Sequence, residues 1–141
     1  MGNPMAFEVH LDAPYEEALD QVAAALKTEG FGILTRIDVR ATMKEKLGQD
    51  FRPYAILGAC NPPFAYRALS HDGLAGLVLP CNVTVEADPQ GGALVRIADP
   101  EVFITIGKFA SDPVLREIAS EVRQRLRRVA EVLAHSSTQA N

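Results

Sequence analysis

Hydrophobic and polar residues alternate along this chain in two distinct periods, and the switches between them outline its elements. Phe7 to Leu11 alternates with period two and predicts a first strand. Pro14 suits the first turn of a helix, where its missing N–H costs nothing. Tyr15, Leu19, Val22 and Leu26 then fall on one stripe, and Gly30 ends the helix. Phe31 to Val39 returns to period two, which places Phe31, Ile33, Ile37 and Val39 on one face and Arg36 and Asp38 on the other. A short helix follows from Thr42 to Leu47, stopped by Gly48, with Lys44 and Lys46 exposed.

Tyr54 to Cys60 predicts a third strand, which Asn61-Pro62-Pro63 ends. A proline there opens a short helix through Leu69. Leu77 to Glu86 predicts a longer strand whose apolar row (Leu77, Leu79, Cys81, Val83, Val85) faces the core and turns Asn82 away. The turn at Asp88 to Gly92 leads into a return strand, Ala93 to Ala98. Glu101 to Phe109 fits a short helix or a docking loop equally well. Ser111 or Asp112 caps a last, long helix with Pro113 in its first turn. Its seam of Leu115, Ile118, Val122, Leu126, Val129 and Leu133 must bury itself against a sheet or a partner, and on it rests the expectation of a homodimer. Residues 1–134 form a single domain, and residues 135–141 a frayed polar tail. Strands with helices at the ends predict an α+β fold, an antiparallel sheet covered on one face by helices that include the C-terminal one.

Composition narrows the partners. The 141 residues are 48% hydrophobic and 23% charged, ordinary for a globular domain with a real core. No apolar run reaches the roughly 20 residues that span a bilayer, and no secretory signal opens the chain, so a cytoplasmic location without membrane contact is expected. The net charge of −4 argues against a nucleic-acid partner. Between Arg36 and Arg67, however, bases outnumber acids, and Lys44, Lys46, Arg52 and Arg67 could receive a small anion.

The chemistry concentrates in two cysteines, each followed by asparagine: Cys60-Asn61 and Cys81-Asn82. Three readings stand. Unpaired cysteines are commonly buried as small hydrophobes, with asparagines serving as turn residues. Alternatively the thiols form a site; Cys60 precedes a helix N-terminus and Arg67 lies on that helix, the surroundings that lower a thiol pKa. Finally, Cys60, His71 and Cys81 could make an open three-ligand metal site, although the spacing fits no closed zinc motif. No nucleophile elbow, phosphate-binding glycine loop or paired carboxylates appear, so no cofactor or enzymatic reaction is specified.

The segments T-x-ID-x-x-x-T-x-KEKLG, YxILGACNP and LPCNV resemble the bacterial and archaeal family called domain of unknown function 302. The resemblance covers nearly the whole chain from Gly30 onward and falls on Tyr54, Gly58, Cys60, Asn61, Pro62, Ala65, Leu79, Pro80, Cys81, Asn82 and Val83. It implies a TATA-binding-protein-like α+β arrangement and makes both cysteine blocks part of the family signature. It implies no activity, and likeness of fold to a DNA-binding protein does not transfer function.

These readings combine into an expected small binding module whose ligand is anionic, thiol-reactive or a soft metal. Its candidate ligand-binding residues are Tyr54, Cys60, Asn61, Arg67, Cys81, Asn82, Lys44, Lys46 and Arg52. A thiol redox enzyme or sensor using Cys60 and Cys81, and an interaction protein with purely structural cysteines, are the alternatives.

Overall fold

A computed structural model describes residues 5–139 of the chain. Five strands form one antiparallel sheet in the order β1-β5-β4-β3-β2: β1 (Ala6–Leu11), β2 (Gly32–Asp38), β3 (Tyr54–Cys60), β4 (Cys81–Ala87) and β5 (Ala93–Ala98). The helices are α1 (Tyr15–Thr28), α2 (Val39–Leu47), α3 (Pro62–His71), α4 (Pro100–Phe103) and α5 (Pro113–Gln139). The α+β class and the long C-terminal helix are as the periodicities predict. That helix continues past His135, through Gln139, and residues 140–141 lie outside the described part.

One face of the sheet carries the core. Val9 and Leu11 of β1, Leu57 of β3, Val83 and Val85 of β4 and Val95 and Ile97 of β5 are buried there. The stripe of α1 and the seam of α5 close over them: Val22, Leu26, Leu126 and Val129 have no measurable exposure. The α5 seam is therefore spent on the chain's own sheet, and the reason for expecting a partner along that helix disappears.

The opposite face is polar and crosslinked. Glu86, buried on β4, accepts from Arg52 Nε at 2.7 Å and Arg96 Nη1 at 2.5 Å, and Arg96 Nε donates to Glu8 at 2.8 Å. The ladder uses the cross-strand pairs Glu8 with Arg96 and Thr84 with Arg96 in register. Thr84 Oγ1 lies buried among them without a hydrogen-bond partner.

Three expectations need correction. The segment Gly73–Val78 is a 3-10 helix, and β4 begins only at Cys81, because Pro80 has no N–H for the ladder and Ala75 and Val78 pack into the core. In β2 the pairing slips between Ile33 and Thr35, so Leu34 is an inserted residue. Ile33 then pairs with Ala59 on the helix-covered face, whereas Ile37 pairs with Ile56 on the polar one; one extra residue reverses the alternation that grouped them. Finally, α2 starts at Val39, earlier than Thr42, since the Asp38 carboxylate caps it by accepting from Ala41 N at 3.0 Å. Glu101–Phe109 resolves into α4 and the start of a 3-10 helix at Gly107–Ser111.

Candidate functional site

The two cysteine blocks meet at one end of the sheet. In the β3–β4 register Cys81 pairs with Ala59 and Asn82 with Gly58, so Cys60 lies one residue beyond the cross-strand partner of Cys81, and both cysteines line one cavity. Cys81 takes the core side of β4 and Asn82 the exposed side, as alternation predicts. Both thiols are free and half-buried. Burial pushes the Cys81 thiol up to about 11, with a smaller upward push from the charge of Cys60. Cys81 is thus a protonated, weakly polar side chain near neutral pH.

Gly58 lets this end close. A Cβ there would run into Thr35 Oγ1 and stand 2.8 Å from Cγ of Pro80, so the missing side chain is the space that Pro80 and Thr35 fill. The close approach at Gly58 is to the protein's own residues.

Asn61 turns out to be a clamp. Buried at the N-terminus of α3, it makes no side-chain cap and instead donates Nδ2–H to the Glu29 carbonyl at 3.1 Å. Arg125 Nη1 reaches that same carbonyl at 3.4 Å, and Arg128 holds the Glu29 carboxylate at 3.0 Å. Three elements are thereby tied at the end of α1. Two prolines open α3, so its first turn lacks two N–H groups that could face a thiolate at Cys60.

Two cavities flank Leu79-Pro80-Cys81. The first, of about 320 Å³, lies between β4, α4, α5 and the 3-10 helix at Gly73–Val78, with Leu77, Val78, Phe103, Ile104 and Leu115 in its walls. The second, of about 310 Å³, lies under α3 and is walled by Cys60, Asn61, Phe64, Ala65, Phe31 and Leu34. Both are lined by Ala68, Leu79, Pro80, Cys81, Ile118 and Val122. Neither is lined by a charged side chain. Each falls at the small end of the range for ligand pockets.

The structure divides the predicted site residues. Cys60, Asn61, Cys81 and Asn82 come together around these cavities. Tyr54 does not: it occupies the other end of β3, about 20 Å away for an extended strand of that length. Arg52 stacks on Phe51 and Tyr54 at that far end and pairs with Glu86. Lys44 is ion-paired with Asp50 and, like Lys46, lies exposed on α2. Sequence proximity had grouped these bases with Cys60, but β3 runs away from them. Arg67 pairs with Glu121 at 3.2 Å and stacks over Phe64, a wall of the second cavity.

The metal trio does not assemble. His71 Nε2 is held by Asp112 at 2.8 Å, at the start of α5, and among the described residues no group of three or more His, Cys, Asp or Glu could hold a metal ion.

Sequence reasoning missed Phe64, Ala68, Ile118, Val122 and Arg125. The first four read as ordinary core positions, and only the small side chain of Ala68 hinted at room.

Among known proteins, the family described as "Domain of unknown function DUF302" matches residues 7–133. A crystal structure of an uncharacterized conserved DUF302 protein from Bacillus stearothermophilus superposes with a TM-score of 0.81 at 30% identity, covering 93% of this chain and 99% of that one. No curated protein matches.

Proposed function

The chain belongs to the DUF302 family, and from that premise we propose that it is a small-molecule binding module whose ligand lies beside the paired cysteines. The observation that carries this reading is the apolar cavity of about 310 Å³ lined by both Cys60 and Cys81. Such a space favours an apolar ligand, because it offers a transferred hydrocarbon surface release from water at about 25 cal/mol per Å². Of the four bases that suggested an anionic ligand, Arg67 alone lies by the cavity; it stacks on Phe64 at 5.7 Å but pairs with Glu121, and Arg125 stacks on the same ring at 5.2 Å. No helix among the described residues is long and apolar enough to cross a membrane.

Titration with N-phenyl-1-naphthylamine, an uncharged probe that brightens in apolar surroundings, tests the proposal. Saturable enhancement at one probe per chain is the expected result, and Ala68→Phe, which fills the shared wall, should abolish it while thermal unfolding stays cooperative. A non-saturating signal, or one that Ala68→Phe leaves intact, defeats the reading and leaves the thiols as structural side chains.

A second reading draws on Cys60 and Cys81 lining the same cavity. Peroxide would oxidise the two thiols to one disulfide, with release of two waters, Cys60 attacking first and Cys81 resolving. Mass spectrometry after mild peroxide treatment decides it: loss of two hydrogens within one chain supports it, and two unchanged thiols exclude it.

A further inference from the structure

We propose that the ligand is a single-chain carboxylic acid whose hydrocarbon tail runs through both cavities and whose carboxylate sits at Arg125; the proposal rests on the binding-module reading above. The two cavities lie on either side of Leu79-Pro80-Cys81 and have Ala68, Cys81, Ile118 and Val122 in common. At this seam two of the side chains are small, Ala68 from α3 and the protonated Cys81 from β4. Neither competes for hydrogen bonds with a passing methylene chain. A compact ligand would use one cavity; an unbranched chain is the shape that uses both without meeting a charge.

The ends of this path differ in chemistry. At the outer end of the first cavity stand Leu77 and Ile106, 79% and 59% exposed, an apolar mouth. Behind Phe64 and Asn61, which wall the second cavity, stands Arg125, half-buried, with no carboxylate partner among the described residues. Its guanidinium stacks 5.2 Å from the Phe64 ring and meets Asn61 at the Glu29 carbonyl, and both Phe64 and Asn61 line that cavity. Arg67, on the same ring, is already neutralised by Glu121. An uncompensated guanidinium beside an apolar cavity recognises an anion with a hydrocarbon tail, and a carboxylate matches its planar fork.

The experiment is calorimetric titration of the full chain with n-alkanoates from butanoate to tetradecanoate, below micelle-forming concentrations, and with the matching n-alkanols. Affinity should rise about fourfold per methylene and keep rising beyond the length at which Ala68→Leu levels off. Arg125→Gln should weaken the alkanoates about tenfold or more while leaving the alkanols within about twofold. If Ala68→Leu unfolds, Ala68→Val narrows the seam more gently and gives the same comparison. Levelling-off at one length in wild type and narrowed variant alike overturns the two-cavity path. Equal effects of Arg125→Gln on acids and alcohols overturn the head position. Both failures with the naphthylamine probe still bound sink this inference alone; loss of the probe sinks the binding module itself.

Discussion

Asn61 and Glu29, 32 residues apart in sequence, are joined by a hydrogen bond from the Asn61 side chain to the Glu29 carbonyl. The bond closes the gap between the end of α1 and the start of α3, and it fixes one wall of the second cavity. Asn61→Ala leaves a partly buried carbonyl with only the longer contact from Arg125. The expected loss is about 1–3 kcal/mol in urea unfolding. Asn61→Asp should be worse than Ala, since a carboxylate would face a carbonyl oxygen. Unchanged midpoints would show the clamp to be dispensable.

At Gly58 the side-chain space belongs to Pro80 and Thr35. Gly58→Ala should therefore destabilise by about 1–3 kcal/mol through overpacking, and Thr35→Gly in the same chain should recover part of it. Urea unfolding of the single and double variants gives the coupling directly.

Cys81 supplies a pH dependence with a definite sign. Its folded thiol titrates at about 11, while an unfolded thiol does so near 8.5. Above that lower value the unfolded chain gives up a proton that the folded chain retains. Stability is therefore full below about pH 8.5, falls through the interval up to about 11, and levels off beyond it. The total is about 3 kcal/mol. The difference in unfolding free energy between wild type and Cys81→Ala, followed from pH 7 to 11, isolates this slope from other groups. In Cys60→Ser, the remaining thiol should alkylate far more slowly at pH 7.5 than free cysteine.

The buried Thr84 hydroxyl lacks a partner on the polar face, surrounded by the Arg52–Glu86–Arg96–Glu8 ladder. Thr84→Val keeps the shape and removes the unsatisfied group, so it should raise stability by about 1 kcal/mol. A lower melting temperature in Thr84→Val would mean the hydroxyl is satisfied in solution.

Much of this was legible in the chain. Alternation put Cys81 toward the core and Asn82 away from it, and the α5 seam announced its burial, because both depend on local period alone. What failed depended on events that period cannot express. A single inserted residue at Leu34 exchanged the faces of Ile33 and Ile37. Pro80 withheld a strand from the apolar run before it, which went instead to wall the first cavity. The basic cluster looked adjacent to Cys60 only because sequence distance hides that an intervening strand separates its ends. The cavities were invisible for a related reason: they lie where four elements fail to fill the space between them, and each lining residue alone reads as core.

The slip at Leu34 also governs what the sheet can grow into. Strand β2 is its last member, exposed along its whole length, and carries Ile33, Leu34 and Ile37. A rim of that kind invites another chain to add itself and seed a fibril. The bulge breaks the rim into two short, misaligned runs, so an incoming strand that pairs with one half is out of step with the other. Removing Leu34 would restore a continuous template, and with it a route to aggregation that the present chain obstructs with a single extra residue.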